Sequence, residues 1–527
     1  MAALTEDACL REALDRMQRV EGFDVVIVCT GTEFQATFWQ ERLEAGGGLI
    51  LPTDCVVLCV HEDWDGGAGN GLGTLYAWQK ACALYASKGL ERFAGGLSAA
   101  LERGDISAAL YHTAGKGTRL APLPGAENNN KPGVKLPASL SEALGPLTIL
   151  ESVVKQTGVY GASRRGRLSV FWGDQIFVPT KSTRYDAHGA HADILCLLAP
   201  MPDKEEWQER GLDKYGLVLV NDDGAACQIE KVDHATAVKF SARLGNIAAV
   251  GTSLGSFSLS SALLRALEAE FDVELCAKVG QFDSDPHWWM PMTLPAEAYV
   301  QLMAKKSVPA DAARAHHARV AAMLATFDAG TAHLLGPVDV GGAAYWWDYG
   351  QLALYRLNAA RLVEDGVEAD AMREFMNVQR GVPASDGLVS CARSCASASQ
   401  LQRGRIEKSV LANVACPDVD ASDCVLVNVT CRRLRAAKNS IAYNVVDDSA
   451  EGLFLAEGDV VTDVFQPDGT VIRQRSHLDV DGGAAWKDAV PPNAFSFEAI
   501  YKMNLETDIV ATAKLAAAAH AALRAKL

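Results

Sequence analysis

The chain has 527 residues, 49% of them hydrophobic and 22% charged, with 49 Lys and Arg against 65 Asp and Glu and a formal charge of −16. The length suggests about three structural units and a core large enough to need no disulfide or metal staple. The acidic balance argues against a nucleic-acid surface, which needs a basic face, yet a few basic residues in one pocket suffice for a small anion. No stretch reaches the roughly 20 apolar residues of a membrane helix, and residues 1–19 lack a secretory core. The expectation is a cytoplasmic protein with neither membrane nor nucleic-acid partners. The 13 cysteines include Cys29, Cys55, Cys59 and Cys196 inside apolar runs, and Cys391 and Cys395 have no second pair at zinc-finger spacing. They read as reduced thiols.

In chain order, residues 24–29, 55–60, 108–113, 168–172 and 194–199 are near-continuous apolar runs. Such runs suit strands buried on both faces. Between and after them, 33–44, 72–87, 310–327 and 348–363 carry helical spacing. This alternation predicts an α/β domain over residues 1–385, with a mostly parallel mixed sheet between helical layers. From about Gly387 the helical period fades. Val419, Val425 and Cys431 recur every six residues. Two forms are open for this β-rich domain, residues 386–505: a parallel, left-handed β-helix with one strand per hexad and these side chains stacked inward, or an ordinary small β-domain. Residues 506–527 are Ala-rich and predict a C-terminal helix.

The most informative segment is Tyr111-His112-Thr113-Ala114-Gly115-Lys116-Gly117-Thr118-Arg119-Leu120. An apolar strand ends in two glycines one residue apart, so successive amides of Ala114, Gly115, Lys116, Gly117 and Thr118 can approach an anion closely. Arg119 can fork onto phosphate oxygens. A Walker A loop is excluded, because Gly rather than Ser or Thr follows Gly115-Lys116.

This segment resembles the sugar-nucleotide pyrophosphorylases, whose strand, Gly-x-Gly-Thr-Arg-Leu and subsequent Lys-and-Pro pattern is matched here by Lys131-Pro132 or Lys135-Leu136-Pro137. The resemblance implies a Rossmann-like three-layer α/β/α nucleotidyltransferase domain. Its substrates would be a nucleoside triphosphate and a sugar 1-phosphate, its product a GDP- or UDP-sugar, and its cofactor Mg²⁺. It assigns Arg119 and Lys131 to the triphosphate, with Lys135 as the alternative. Asp174 of Phe171-Trp172-Gly173-Asp174 and Asp348 of Trp346-Trp347-Asp348 would hold the metal. Gly173, Tyr215, Gly216, Glu230 and Gly255 would meet the sugar, and Lys231 its phosphate. For Asp348 the competing reading is a cap on a helix starting at Tyr349. Gly71-Leu72-Gly73-Thr74, ahead of the main signature, narrows the resemblance to the fucose-1-phosphate guanylyltransferase group, which adds nucleotide contacts at Gly71, Gly73 and Thr74. That group also carries a β-helical C-terminal region, through which a homo-oligomer can form. Two rivals stand beside this reading. One is a non-catalytic binding paralogue; the other is a glycosyltransferase using Asp283-Ser284-Asp285 as an Asp-x-Asp metal site.

Overall fold

The apolar runs fold as one sheet in the computed structural model, which describes residues 5–113, 115–382 and 386–527. Its strands are β1 (Val25–Thr30), β2 (Val56–His61), β3 (Ala108–His112), β4 (Arg167–Trp172), β5 (Ala190–Pro200), β6 (Gly216–Asn221), β7 (Ala226–Glu230), β8 (Ile247–Ser260) and β9 (His333–Asp339). The nine strands run β7-β6-β8-β4-β3-β1-β2, with β5 paired to β8 and β9 to β5. Strands β2, β1, β3 and β4 are mutually parallel, whereas β8 is antiparallel to β4, β5 and β6.

The central strands are apolar at every position because both faces are covered. Val26 and Val28 pack with Trp39, Leu43 and Val153 on one face; Val25 and Ile27 pack with Leu72, Leu75 and Leu263 on the other. A strand open to water on one side would alternate instead. The fold is therefore mixed α/β around a parallel-rich sheet.

Helix α1 (Glu33–Ala45) starts at Thr32, whose hydroxyl accepts the Gln35 N–H. The helix expected over 72–87 begins three residues earlier, since α2 spans Gly69–Ser87 and takes in Gly69, Gly71 and Gly73. Its first amides, on Gly71 and Leu72, donate to the Phe282 carbonyl at 2.8 and 3.1 Å. A Cβ on Gly69 or Gly71 would stand 2.6 or 2.8 Å from that oxygen, so close backbone approach explains these glycines. A second correction concerns Asp348. It ends a strand, Tyr345–Asp348, that pairs antiparallel with Gln175–Val178, and the next helix begins only at Leu352 with Gln351 in the cap position. Asp348 therefore caps no helix.

Beyond Gly387 the chain builds a second, ten-stranded sheet. Its main strands are β10 (Gln400–Glu407), β11 (Val410–Ser422), β12 (Val425–Cys431), β13 (Ile441–Asp447) and β14 (Asp459–Phe465), each parallel to the one before. Val425 lies between Val410 and Ile441, and Ile441 beside Val460. Asn413, Asn428 and Asn444 form a side-chain ladder through the same layers, at steps of 15 and 16 residues. The repeat between paired strands is thus about that length. Val419, Val425 and Cys431 are all buried and all in strands, but Val419 pairs with Gly404 and Leu434, not with Val425. Their six-residue step advances along the chain rather than between paired strands.

An antiparallel strand, Val471–His477, ends the stack beside β14. Helix α3 (Phe497–Asn504) and helix α4 (Ile509–Arg524) follow, and α4 lies against α1 and β12. Val425, Ile441 and Tyr443 share a core with Val134, Leu136 and Trp39. No helix among the described residues is long and apolar enough to cross a membrane.

Candidate functional site

A cleft of about 440 Å³ opens at the carboxyl ends of the parallel strands. Parallel α/β sheets place ligands there, because loops diverge from that edge and helix N-termini point toward it. The cleft is lined by Glu62 after β2, Thr113 after β3, Trp172, Gly173 and Asp174 at the end of β4, Gly69 and Asn70 at the start of α2, and Lys131.

Lys131 Nζ lies 2.6 Å from Asp174 Oδ2, with both side chains largely shielded. Strand pairing brings Asp348 to the same corner, opposite Gln175. The Gly350 amide donates to Asp348 Oδ1 at 2.6 Å. A Cβ on Gly350 would stand 3.0 Å from Asp348 Oδ1 and 3.6 Å from Asp174 Oδ2, so this glycine leaves a hollow between two carboxylates. Lys135 is placed elsewhere. Its ammonium pairs with Glu127, and Tyr443 Oη donates to the same Glu127 oxygen at 2.5 Å while accepting the Lys135 N–H at 2.8 Å. Of the two candidate lysines, only Lys131 shares the cleft with Asp174.

The loop that follows β3 meets Lys131 directly. A Cβ on Gly117 (φ 63°) would lie 3.1 Å from Lys131 Cγ, so the missing side chain lets the lysine stem cross the loop. Gly115 also has positive φ, 122°, while Ala114 lies outside the described residues. Arg119 is exposed and has no hydrogen bond or ion pair within the described residues, so its guanidinium is available to a ligand. Lys116 Nζ sits 5.6 Å from the Tyr501 ring centre. Thr118 is covered by Gly482, whose Cβ position comes very close to the Thr118 carbonyl. Neither Arg119 nor Lys116 lines the 440 Å³ cleft; Lys116 lines a separate cavity with Thr113, Gly115 and Tyr501.

Behind the cleft, Thr74 Oγ1 donates to the Asn70 carbonyl at 2.7 Å and lies 2.9 Å from His112 Nε2. A hydroxyl has one hydrogen, so His112 Nε2 is the donor in the second contact. Burial pulls the His112 imidazole down to about 4, and the ring stacks on Trp172 at 5.5 Å. A Cβ on Gly73 would lie 2.7 Å from Glu62 Oε2, so Gly73 makes room for that carboxylate. Burial pushes the Glu62 carboxyl up, although it accepts the Ala68 N–H at 2.8 Å.

The residues expected to meet a sugar form a second group. Gly216 pairs with Glu230 across β6 and β7, and the Lys231 N–H donates to the Tyr215 carbonyl at 3.0 Å. Burial raises the Glu230 carboxyl, but Lys306 at 2.7 Å and Lys231 at 3.1 Å outweigh it and hold the group below the usual carboxylate range. Lys231 itself is mostly exposed. Gly255 (φ 75°) joins the two groups: it sits in a bulge of β8, and its Cβ position is 2.5 Å from Trp172 Nε1. Tyr215, Gly216, Glu230 and Lys231 do not line the 440 Å³ cleft.

The Asp-x-Asp pair is divided by the fold. Asp283 Oδ1 accepts the Asn70 N–H at 3.0 Å at the head of α2. Asp285 turns toward the Gly216–Glu230 group, its Oδ2 3.9 Å from the Gly216 Cβ position, and burial together with Glu230 pushes its carboxyl up to about 6. One carboxylate is spent on a helix start and the other resists ionisation, which makes a poor pair for a cation.

Glu62, Asn70, Trp172 and Lys306 were not singled out as site residues by sequence reasoning. Trp172, before Gly173-Asp174, and Asn70, between Gly69 and Gly71, stood inside motifs; Glu62 is brought in by strand order and Lys306 by its ion pair with Glu230. Among the described residues no cluster of three or more His, Cys, Asp or Glu is arranged to hold a metal. The donor set at Gly350 is two carboxylates. Mg²⁺ retains several waters and takes one or two carboxylates plus substrate phosphates, so Asp174 and Asp348 fit that ion rather than one requiring an all-protein cage. No protein-family model matches the chain, and no curated protein matches it.

Proposed function

We propose that the chain is a nucleotidyltransferase of the sugar-nucleotide pyrophosphorylase type, organised like the fucose-1-phosphate guanylyltransferase group. It would join a nucleoside triphosphate and a sugar 1-phosphate to give a nucleotide sugar and pyrophosphate. The observation that carries this reading is the meeting of Lys131, Asp174 and the Gly115–Gly117 loop at the carboxyl edge of the sheet, with Asp348 beside them. The helices on both faces of that sheet suit a Rossmann-like three-layer domain, and the parallel stack β10–β14 suits a β-helical C-terminal domain.

In this reaction an oxygen of the sugar phosphate attacks the α-phosphorus in line, the bond to the bridging oxygen breaks, and pyrophosphate leaves. No general base is needed, because the attacking phosphate is already anionic. Catalysis is positioning and neutralisation of charge. Amides of the Gly115–Gly117 loop and the free guanidinium of Arg119 bind the triphosphate. Lys131 leaves Asp174 for a phosphate oxygen as that charge arrives. Lys231 and Lys306 draw the sugar phosphate toward Glu230, which accepts from sugar hydroxyls. Mg²⁺, held by Asp174 and Asp348, would supply charge neutralisation at the phosphates. Glu62, Asn70 and His112 border the space left for the base.

The test is pyrophosphate release by the full chain across four nucleoside triphosphates and a panel of sugar 1-phosphates, with and without Mg²⁺. Metal-dependent release with one pair supports the reading. Silence with every pair leaves a non-catalytic binding protein, and consumption of a nucleotide sugar with transfer to an acceptor makes it a glycosyltransferase.

A further inference from the structure

The segment that delivers Lys131 is held from outside by the C-terminal helices. Asn504, the last residue of α3, donates from Nδ2 to the Gly125 carbonyl at 2.8 Å and to Asn129 Oδ1 at 3.4 Å. Asn129 in turn donates to the Tyr501 carbonyl at 2.7 Å. In α4, Thr512 Oγ1 donates to Asn128 Oδ1 at 2.7 Å. Asn130 completes the set by accepting the Trp39 indole N–H at 3.1 Å. Asn128, Asn130, Asn504 and Thr512 are all buried.

These bonds matter because the tract is bent. Asn128 and Asn129 both have left-handed backbones, φ 51° and 66°, which Asn tolerates but does not favour. The bend lets the Asn129 N–H reach the Pro124 carbonyl at 2.9 Å and turns the chain toward the Gly117 loop just before Lys131. Pairs of such residues persist where surrounding contacts over-determine them. Here those contacts come from α3 and α4, more than 370 positions along the chain.

The geometry points to helices α3 and α4 as a brace that sets Lys131, with Asn504 and Thr512 as positioning residues acting through Asn128 and Asn129. This rests on the pyrophosphorylase reading, in which Lys131 meets the triphosphate. It gives the C-terminal helices a part in turnover that a mere end of a fold would not have. Misplacing a charged group by a fraction of an ångström changes the chemical step more than it changes ground-state binding.

The experiment is a double-mutant cycle in the full chain, with Asn504→Ala and Thr512→Val each made alone and in a Lys131→Met background. Turnover is followed by pyrophosphate release with Mg²⁺ and the best substrate pair, and amide exchange is followed over residues 125–134. Each single variant is expected to lower kcat about tenfold with the sugar 1-phosphate KM within about twofold. In the Lys131→Met background the same changes should alter kcat by less than about twofold, since a brace for an absent lysine has nothing to position. Exchange over the tract should rise in both variants. Equal losses in both backgrounds, or unaltered exchange, would overturn the brace while leaving the pyrophosphorylase reading intact. Thr512→Val is nearly isosteric and carries the test if Asn504→Ala fails to fold. A wild-type chain that releases no pyrophosphate with any pair defeats the functional reading instead, and amide exchange alone then decides whether the brace holds the tract.

Discussion

Lys131 and Asp174 form a 2.6 Å ion pair across 43 positions of sequence, one from the segment after the glycine loop and the other from the end of β4. In the proposed reaction this pair would store a cation beside the carboxylate that it leaves when the triphosphate binds. Lys131→Met should cut kcat by about a hundredfold or more, the usual scale for losing a group that stabilises transition-state charge. Lys135→Met should behave differently. It strips Glu127 of its partner in a half-buried network with Tyr443, so the urea midpoint should fall while kcat changes far less. Steady-state kinetics and urea titration of both variants check this. A larger kcat loss for Lys135→Met would reverse the assignment.

Asp174→Asn and Asp348→Asn should each raise the Mg²⁺ concentration needed for half-maximal turnover and lower kcat by about a hundredfold. Neither should cost much stability, because Asp348 caps no helix and Asp174 keeps a neutral partner for Lys131. Gly350→Ala is the finer probe, since its methyl group would fill the hollow 3.0 Å from Asp348 and 3.6 Å from Asp174. It should weaken the Mg²⁺ response without removing a carboxylate. A Mg²⁺ titration of pyrophosphate release measures all three.

Asp285 supplies a pH dependence with a definite sign. Its carboxyl titrates near 6 in the fold against an ordinary value of 3.8, so between those values the native chain binds more protons than the unfolded one. Its contribution to stability therefore falls as pH rises from about 4 to 6 and stays lost above that range. Asp285→Asn should flatten this part of the stability profile and be more stable than wild type at pH 7. Thermal melts in overlapping buffers would show it, and an unchanged slope would mean that Asp285 ionises as it does in water.

Val425 lies in the parallel stack of strands between Val410 and Ile441, fully buried. Val425→Asp places an unpaired charge in that dry row and should cost about 4 kcal/mol. Because Val425 shares its core with Leu136, the loss should appear as a lower unfolding midpoint and poor soluble yield rather than as a changed KM. A folded Val425→Asp protein of normal stability would mean that the coil interior admits water.

Much of the α/β domain was legible because its cause is local. Strands covered on both faces are apolar at every position, and 24–29, 55–60 and 108–113 announced β1, β2 and β3 to within a residue. The glycine loop was legible for the same kind of reason, since a backbone that turns with φ of 122° and 63° selects glycine. Other positions misled. The helix expected over 72–87 starts three residues earlier, at Gly69: helix propensity penalises the glycines there, but backbone contact of Gly69 and Gly71 with Phe282, some 210 residues later, requires them. The six-residue recurrence at Val419 was real, yet periodicity along one strand path cannot say which strand pairs with which.

The amino-acid sequence by itself determined the parallel-rich sheet, the glycine loop after β3 and the acidic and basic side chains around it, because each rests on propensity or backbone conformation over a few neighbouring residues. Only the tertiary structure decided that Lys131 rather than Lys135 enters the cleft, that Asp348 stands beside Asp174 and caps nothing, and that Asp283 and Asp285 part company. Each of those outcomes depends on which strands pair and which distant helix covers a loop. Those are long-range packing choices that the chain makes as a whole, and no short window of residues contains them.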